Sequence, residues 1–100
     1  MSSHAATRVP TVTIHVPGAL RDRCGGAAQL TLAAATVQTA LDEIERRHPS
    51  LWSGVCDETG RVRRHINVFV NTSHMRDLNG LDTALAQGDE IVFLPAVSGG

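Results

Sequence analysis

Lysine is absent from this chain: all nine basic residues are arginine, set against ten Asp and Glu for a formal net charge of −1. Without a basic excess there is no electrostatic footprint for nucleic acid, which needs surplus positive charge on one face. Without lysine, no side chain of this protein can accept an isopeptide bond. Aromatic residues make up only 3%, so the core must be assembled mainly from Val, Leu, Ile and Ala. No apolar run has the length of a signal peptide or a membrane span, so the chain reads as cytoplasmic, with no membrane partner. Cys24 and Cys56 sit in different segments. No Cys-x-x-Cys pair is present to hold zinc or act as a redox dithiol, and a disulfide is not expected in a reducing compartment. His15, His48, His65 and His74 are scattered without metal-ligand spacing. Phosphate-loop, nucleophile-elbow and paired-carboxylate patterns are missing as well. No bound metal or cofactor is expected, and the chain is not expected to be an enzyme.

What is present suits one domain. One hundred residues, 42% hydrophobic and 19% charged, can bury a core without metal or disulfide support. The domain is read over residues 1–100, with residues 1–8 expected to be disordered. Val12, Ile14 and Val16 alternate with polar residues as a strand with one buried face, and Gln29 to Leu32 is expected to pair with it as a hairpin with a long connection. Thr36 suits an N-cap. Val37, Ala40, Leu41 and Ile44 then form one helical stripe, and Pro49 stops the helix. Ser50 to Arg64 reads as a loop in which Leu51 and Trp52 fold back over the core edge. Ile66, Val68 and Val70 mark the clearest strand. A short strand near His74 to Arg76 and a helical turn around Leu81 to Leu85 lead to the last strand, Glu90 to Leu94, ended by Pro95. Four to five strands in a mixed sheet packed on one helix is an α+β, β-grasp arrangement. Its first and last strands would lie parallel at the centre.

The C-terminus carries the chemical interest. Ala96 to Gly100, extended at about 3.3 Å per residue, reaches roughly 16 Å from the body. Its two terminal glycines let a narrow channel close around the backbone. Ordering such an arm costs about 1–2 kcal/mol per residue, so a partner must recover that energy on the folded body. Strand phase locates a surface for it. If Ile66, Val68 and Val70 face the helix, Phe69 lies on the open face. If Ile91 and Phe93 point inward, Val92 and Leu94 point outward. The alternatives are a reversed last strand or a patch covered by the loop from Ser50. An exposed Phe69-Val92-Leu94 cluster beside the tail would be an apolar patch of the kind that marks a partner site.

Several blocks of sequence resemble one family. Val16-Pro17 with Leu20-Arg21, Gly25-Gly26, Arg64 ahead of Ile66-Asn67-Val68, Asn71, Gly88-Asp89 and above all Leu94-Pro95-Ala96-Val97-Ser98-Gly99-Gly100 are similar to the MoaD/ThiS family of ubiquitin-like sulfur carriers, most closely its CysO-type branch. The resemblance covers about nine-tenths of the chain. It implies that an E1-like enzyme, using ATP and magnesium, adenylates the Gly100 carboxylate. A sulfur donor then displaces AMP and leaves a thiocarboxylate. Gly99 and Gly100 are the implied reactive end, with Pro95, Ala96, Val97 and Ser98 as the segment the partner grips. The CysO-type likeness implies cysteine made on a pyridoxal-phosphate-dependent synthase, with a JAMM-type metalloprotease releasing the product. Molybdopterin synthase small subunits and carriers for thiamin or thio-sugars stay open as siblings. A ubiquitin-like protein modifier, or a β-grasp interaction domain with an inert tail, stays open as another class.

Overall fold

The period-2 segments form a five-stranded mixed sheet in the order β2-β1-β5-β3-β4 in the computed structural model, which describes residues 9–96. The strands are β1 (Thr11–His15), β2 (Gln29–Ala33), β3 (Ile66–Val70), β4 (Ser73–His74) and β5 (Glu90–Pro95). β1 and β5 run parallel at the centre, with Ile14 beside Ile91 and His15 beside Val92. The other pairings are antiparallel.

One face of this sheet is dry. Val12, Ile14, Val68, Ile91 and Phe93 are all fully buried, Phe93 being the largest of them. Against them lies α1 (Val37–Arg47), whose buried residues are the stripe Val37, Ala40, Leu41 and Ile44. Thr36 caps it reciprocally. Its Oγ1 accepts the Thr39 N–H at 3.1 Å while Thr39 Oγ1 accepts the Thr36 N–H at 2.9 Å, so two otherwise unpartnered donors are satisfied. Arg46 and Arg47 in the last turn complement the helix dipole.

Pro49 begins a helix as well as ending one. It occupies the first turn of α2 (Pro49–Val55), where its missing N–H would have had no partner anyway. The segment read as a loop from Ser50 to Arg64 therefore opens with a helix, and the sheet carries α1 together with this shorter second element. Leu51 covers the core as expected and is buried with Val55, while Trp52 is half-buried. Seven residues are too few for a helical period to stand out, and Gly54 interrupts them. That glycine has a packing reason: a Cβ there would lie 3.1 Å from Leu20 Cδ2 and 3.2 Å from Arg23 Cδ, on the 3-10 helix Gly18–Cys24.

Two clasps hold the long return from β4 to β5. Thr83, the one buried polar residue among those described, donates from Oγ1 to the Gly80 carbonyl at 2.7 Å. It accepts the Asn79 N–H at 3.0 Å, and its carbonyl receives the Val37 N–H at 3.1 Å. Asn71 fixes the start of β5. Its backbone N–H donates to the Glu90 carbonyl at 2.7 Å, its Oδ1 accepts the Glu90 N–H at 3.1 Å, and its Nδ2 donates to Asp89 Oδ1 at 3.2 Å. Asn71 does this at a left-handed φ of 56°, which asparagine tolerates better than most residues.

Candidate functional site

β5 sets the direction in which the chain leaves the fold. Ile91 and Phe93 point inward, Val92 is half-buried, and Leu94 is 46% exposed. Pro95 does not lie beyond the strand as the sequence reading had it; it is the last strand residue, opposite Ile66. A proline is tolerated at this terminal position because the next residue supplies the donor: Ala96 N–H bonds to the His65 carbonyl at 2.6 Å. The root of the C-terminal segment is thus tied to the residue just ahead of β3. Val97, Ser98, Gly99 and Gly100 lie outside the described residues, as do the residues 1–8 read as disordered.

On the open face, pairing brings distant residues into one row. His15 on β1 stands beside Val92 on β5, Val92 opposite Phe69 on β3, and Phe69 opposite His74 on β4. Leu94 continues the apolar strip toward the tail, opposite Asn67. The helices pack on the other face, so the segment from Ser50 contributes Leu51 and Val55 to the core. The cluster differs from its expected form in one respect. Leu94 is exposed, but Phe69 and Val92 are half-buried. His74 lies edge-on against Phe69, with ring centroids 5.2 Å apart at 66°, a favoured aromatic geometry.

Both bracketing histidines are held. His15 Nε2–H donates to Glu90 Oε1 at 2.9 Å. His74 Nδ1 accepts the Arg76 backbone N–H at 3.0 Å, which leaves its Nε2–H to donate to Asn67 Oδ1 at 3.1 Å. In the sequence both are scattered histidines without a shared spacing. The signal that unites them is the parallel register of β1 on β5, which no local pattern encodes.

The remaining reactive groups lie away from this face. Burial pushes the Cys56 thiol up to about 11, with the neighbouring Asp57 carboxylate adding to the effect, so Cys56 is a poor nucleophile near neutrality. Cys24 is buried, its thiol within 3.5 Å of the Arg21 and Ala27 carbonyls. Among the described residues no three His, Cys, Asp or Glu side chains converge to hold a metal ion, and no helix is long and apolar enough to cross a membrane. Arg63 is half-buried and donates from Nε to the Ser53 carbonyl at 2.9 Å.

Known proteins share this fold. The ThiS family profile matches residues 14–100. The sulfur carrier protein CysO of Mycobacterium tuberculosis is 32% identical over 91 residues, which cover 89% of this chain and 98% of that protein. Small archaeal modifier protein 1 of Haloferax volcanii is 42% identical over 66 residues, 66% of this chain and 71% of that protein. Among solved structures, a chain of the Amycolatopsis orientalis BexX/CysO complex superposes with a TM-score of 0.80 at 36% identity, covering 89% of this chain and 99% of that one. Small archaeal modifier protein 1 of Methanosarcina acetivorans gives a TM-score of 0.81 at 28% identity, covering 92% and 98%. With a profile match reaching from β1 to the last residue and relatives of the same β-grasp shape, the chain belongs to the ThiS/MoaD family of ubiquitin-like sulfur carriers.

Proposed function

We propose that this chain carries sulfur on the carboxylate of Gly100. A carboxylate is a poor electrophile, so an E1-like partner first couples it to ATP, with magnesium, releasing pyrophosphate and forming an acyl-adenylate. A sulfur donor such as hydrosulfide then attacks the acyl carbon, AMP departs, and a thiocarboxylate remains. The carrier contributes no acid or base to this exchange. It contributes presentation: a terminal glycine pair on an arm, and a body that a partner can hold.

The observation that carries this reading is the tie of Ala96 to His65 at the end of a central strand. It launches the final residues from a fixed point beside the Phe69-Val92-Leu94 strip. The strip is the proposed docking patch, with Pro95, Ala96, Val97 and Ser98 as the segment drawn into the partner. The matched A. orientalis relative was solved as a complex of CysO with BexX, which supports a partner-bound stage for this chain too. Likeness to CysO favours cysteine as the destination, through a pyridoxal-phosphate-dependent synthase and a JAMM-type metalloprotease. Molybdopterin, thiamin and thio-sugar synthesis are the sibling destinations.

A second reading is a protein modifier joined through Gly100 to lysines of targets, favoured by the 42% identity to small archaeal modifier protein 1. Incubation with an E1-like adenylating enzyme, ATP, magnesium and sulfide, in the presence of cell extract, separates the two. Conversion of the free chain to a thiocarboxylate supports the carrier. A ladder of adducts on other proteins supports the modifier. No reaction of either kind would leave a β-grasp interaction domain with an inert tail and overturn both.

A further inference from the structure

The charge of this chain is unevenly placed. Two adjoining open hollows, of ≈ 490 Å³ and ≈ 420 Å³, share Arg63 and His65 as walls. Arg61 and Arg64 line the first and Arg23 lines the second. Four of the nine basic residues therefore meet in one groove of a protein whose net charge is −1. A single carboxylate, Asp57, lines the same groove. It is already engaged, its Oδ1 accepting the Thr59 N–H and hydroxyl and the Arg61 N–H. None of the four guanidinium groups forms an ion pair among the described residues. Arg23 and Arg63 are braced by carbonyls of α2, at Ser50 and Ser53, while Arg61 and Arg64 are exposed.

The groove is continuous with the root of the tail. His65, common to both hollows, is the residue whose carbonyl holds Ala96 N–H. Because Ala96 is tied to His65, a protein that takes residues 97–100 comes close to this rim and to its charge. We infer that the Arg23-Arg61-Arg63-Arg64 groove docks an acidic segment of the protein that takes the tail. This rests on the reading of 97–100 as a tail delivered to another protein, and it adds a polar contact on the side of β3 away from the Phe69 strip.

Two features favour an extended acidic segment over a compact phosphate. Compact phosphate sites often converge backbone N–H donors at a helix N-terminus or nest, whereas the backbone groups of α2 that meet the groove arginines, at Ser50 and Ser53, are carbonyls already accepting from Arg23 and Arg63. The guanidinium groups are spread over two hollows, a spacing that suits successive carboxylates, each able to pair bidentately with Arg.

An NMR titration of the ¹⁵N-labelled chain with a hexaglutamate peptide tests this, with inorganic phosphate and a hexaglutamine peptide as controls. The groove predicts amide shifts confined to Arg23, residues 61–65 and Ala96. Those shifts should fade at least tenfold in affinity between about 50 and 500 mM salt, as exposed charges are screened. They should be absent in the Arg61→Glu/Arg64→Glu double variant and retained in Arg46→Glu/Arg47→Glu, which reverses the same number of charges on α1, outside the groove. No shifts, shifts spread over all arginines, or equal shifts from phosphate would overturn it. Thiocarboxylate formation is read by mass on the same wild-type chain. A chain that gains sulfur but ignores hexaglutamate sinks the groove alone, and the reverse sinks the carrier reading alone.

Discussion

Phe69 and Val92 stand directly opposite one another on the open face of the sheet, while their neighbours Val68 and Phe93 stand opposite one another on the buried face. Residue parity along two strands thus separates the proposed docking patch from the core. Phe69→Asp should leave the fold intact and raise the KM of the adenylating enzyme for the carrier at least tenfold, about 1.4 kcal/mol of binding. Melting temperature and adenylation kinetics measured on the same variant decide this. Normal adenylation by a folded Phe69→Asp chain would remove Phe69 from the docking patch.

The complementary pair is Phe93 and Leu94, adjacent in sequence and on opposite faces. Phe93→Ala empties the largest fully buried position and should cost about 3–5 kcal/mol of unfolding free energy. Leu94→Ala, at a 46% exposed side chain, should stay within about 0.5 kcal/mol. Urea unfolding of the two variants checks both values. Equal destabilisation would mean the strand phase is wrong.

Asn71 joins β3 to the start of β5 through three hydrogen bonds at a left-handed φ. Asn71→Ala loses both side-chain bonds and places a residue that resists φ > 0 there, a loss of about 1–3 kcal/mol. Asn71→Gly keeps the backbone freedom and loses only the bonds, so it should be the milder change. Chemical denaturation of the two variants gives the order; a milder alanine would show that conformation plays no part.

Cys56 gives the chain an alkaline weakness. Its thiol is raised from 9.0 to about 11 by burial, so between those values the folded chain keeps a proton that the unfolded chain has lost. Its stabilising contribution is complete below pH 9 and is lost as pH rises through about 11. Between about pH 8 and pH 10 the wild type should lose roughly 1 kcal/mol more than Cys56→Ala does. Denaturation midpoints at the two pH values test this, and parallel losses would contradict it. At about pH 8 Cys56 should also resist iodoacetamide until the chain unfolds.

Much of this was legible in the sequence, for physical reasons that differ by element. The stripe of α1 and the phase of β3 and β5 could be read because burial imposes a period on neighbouring residues. The cap at Thr36 could be read because its chemistry is local. α2 could not, since Pro49 signals a helix start as well as a stop and seven residues show no period. Nor could the row from His15 to His74: the parallel placement of β1 beside β5 follows from the β-grasp pattern, but the registers that set His15 beside Val92, Val92 opposite Phe69 and Phe69 opposite His74 do not. The groove of Arg23 with Arg61, Arg63 and Arg64 joins residues about forty positions apart and needed the packing of α2 on the 3-10 helix Gly18–Cys24 to appear.

The most direct measurement is the mass of the tryptic fragment from residue 77 to residue 100 after incubation with an E1-like adenylating enzyme, ATP, magnesium and sulfide. Arg76 is the last arginine, so this fragment holds Gly99 and Gly100 and contains neither Met nor Cys. Methionine oxidation, which adds a similar mass, falls in other fragments. Replacement of one carboxylate oxygen by sulfur predicts a gain of about 16 Da assigned by fragmentation to Gly100, and none in a chain lacking Gly100. An unchanged fragment alongside an active enzyme, or sulfur found only on fragments bearing Cys24 or Cys56, would contradict the carrier function.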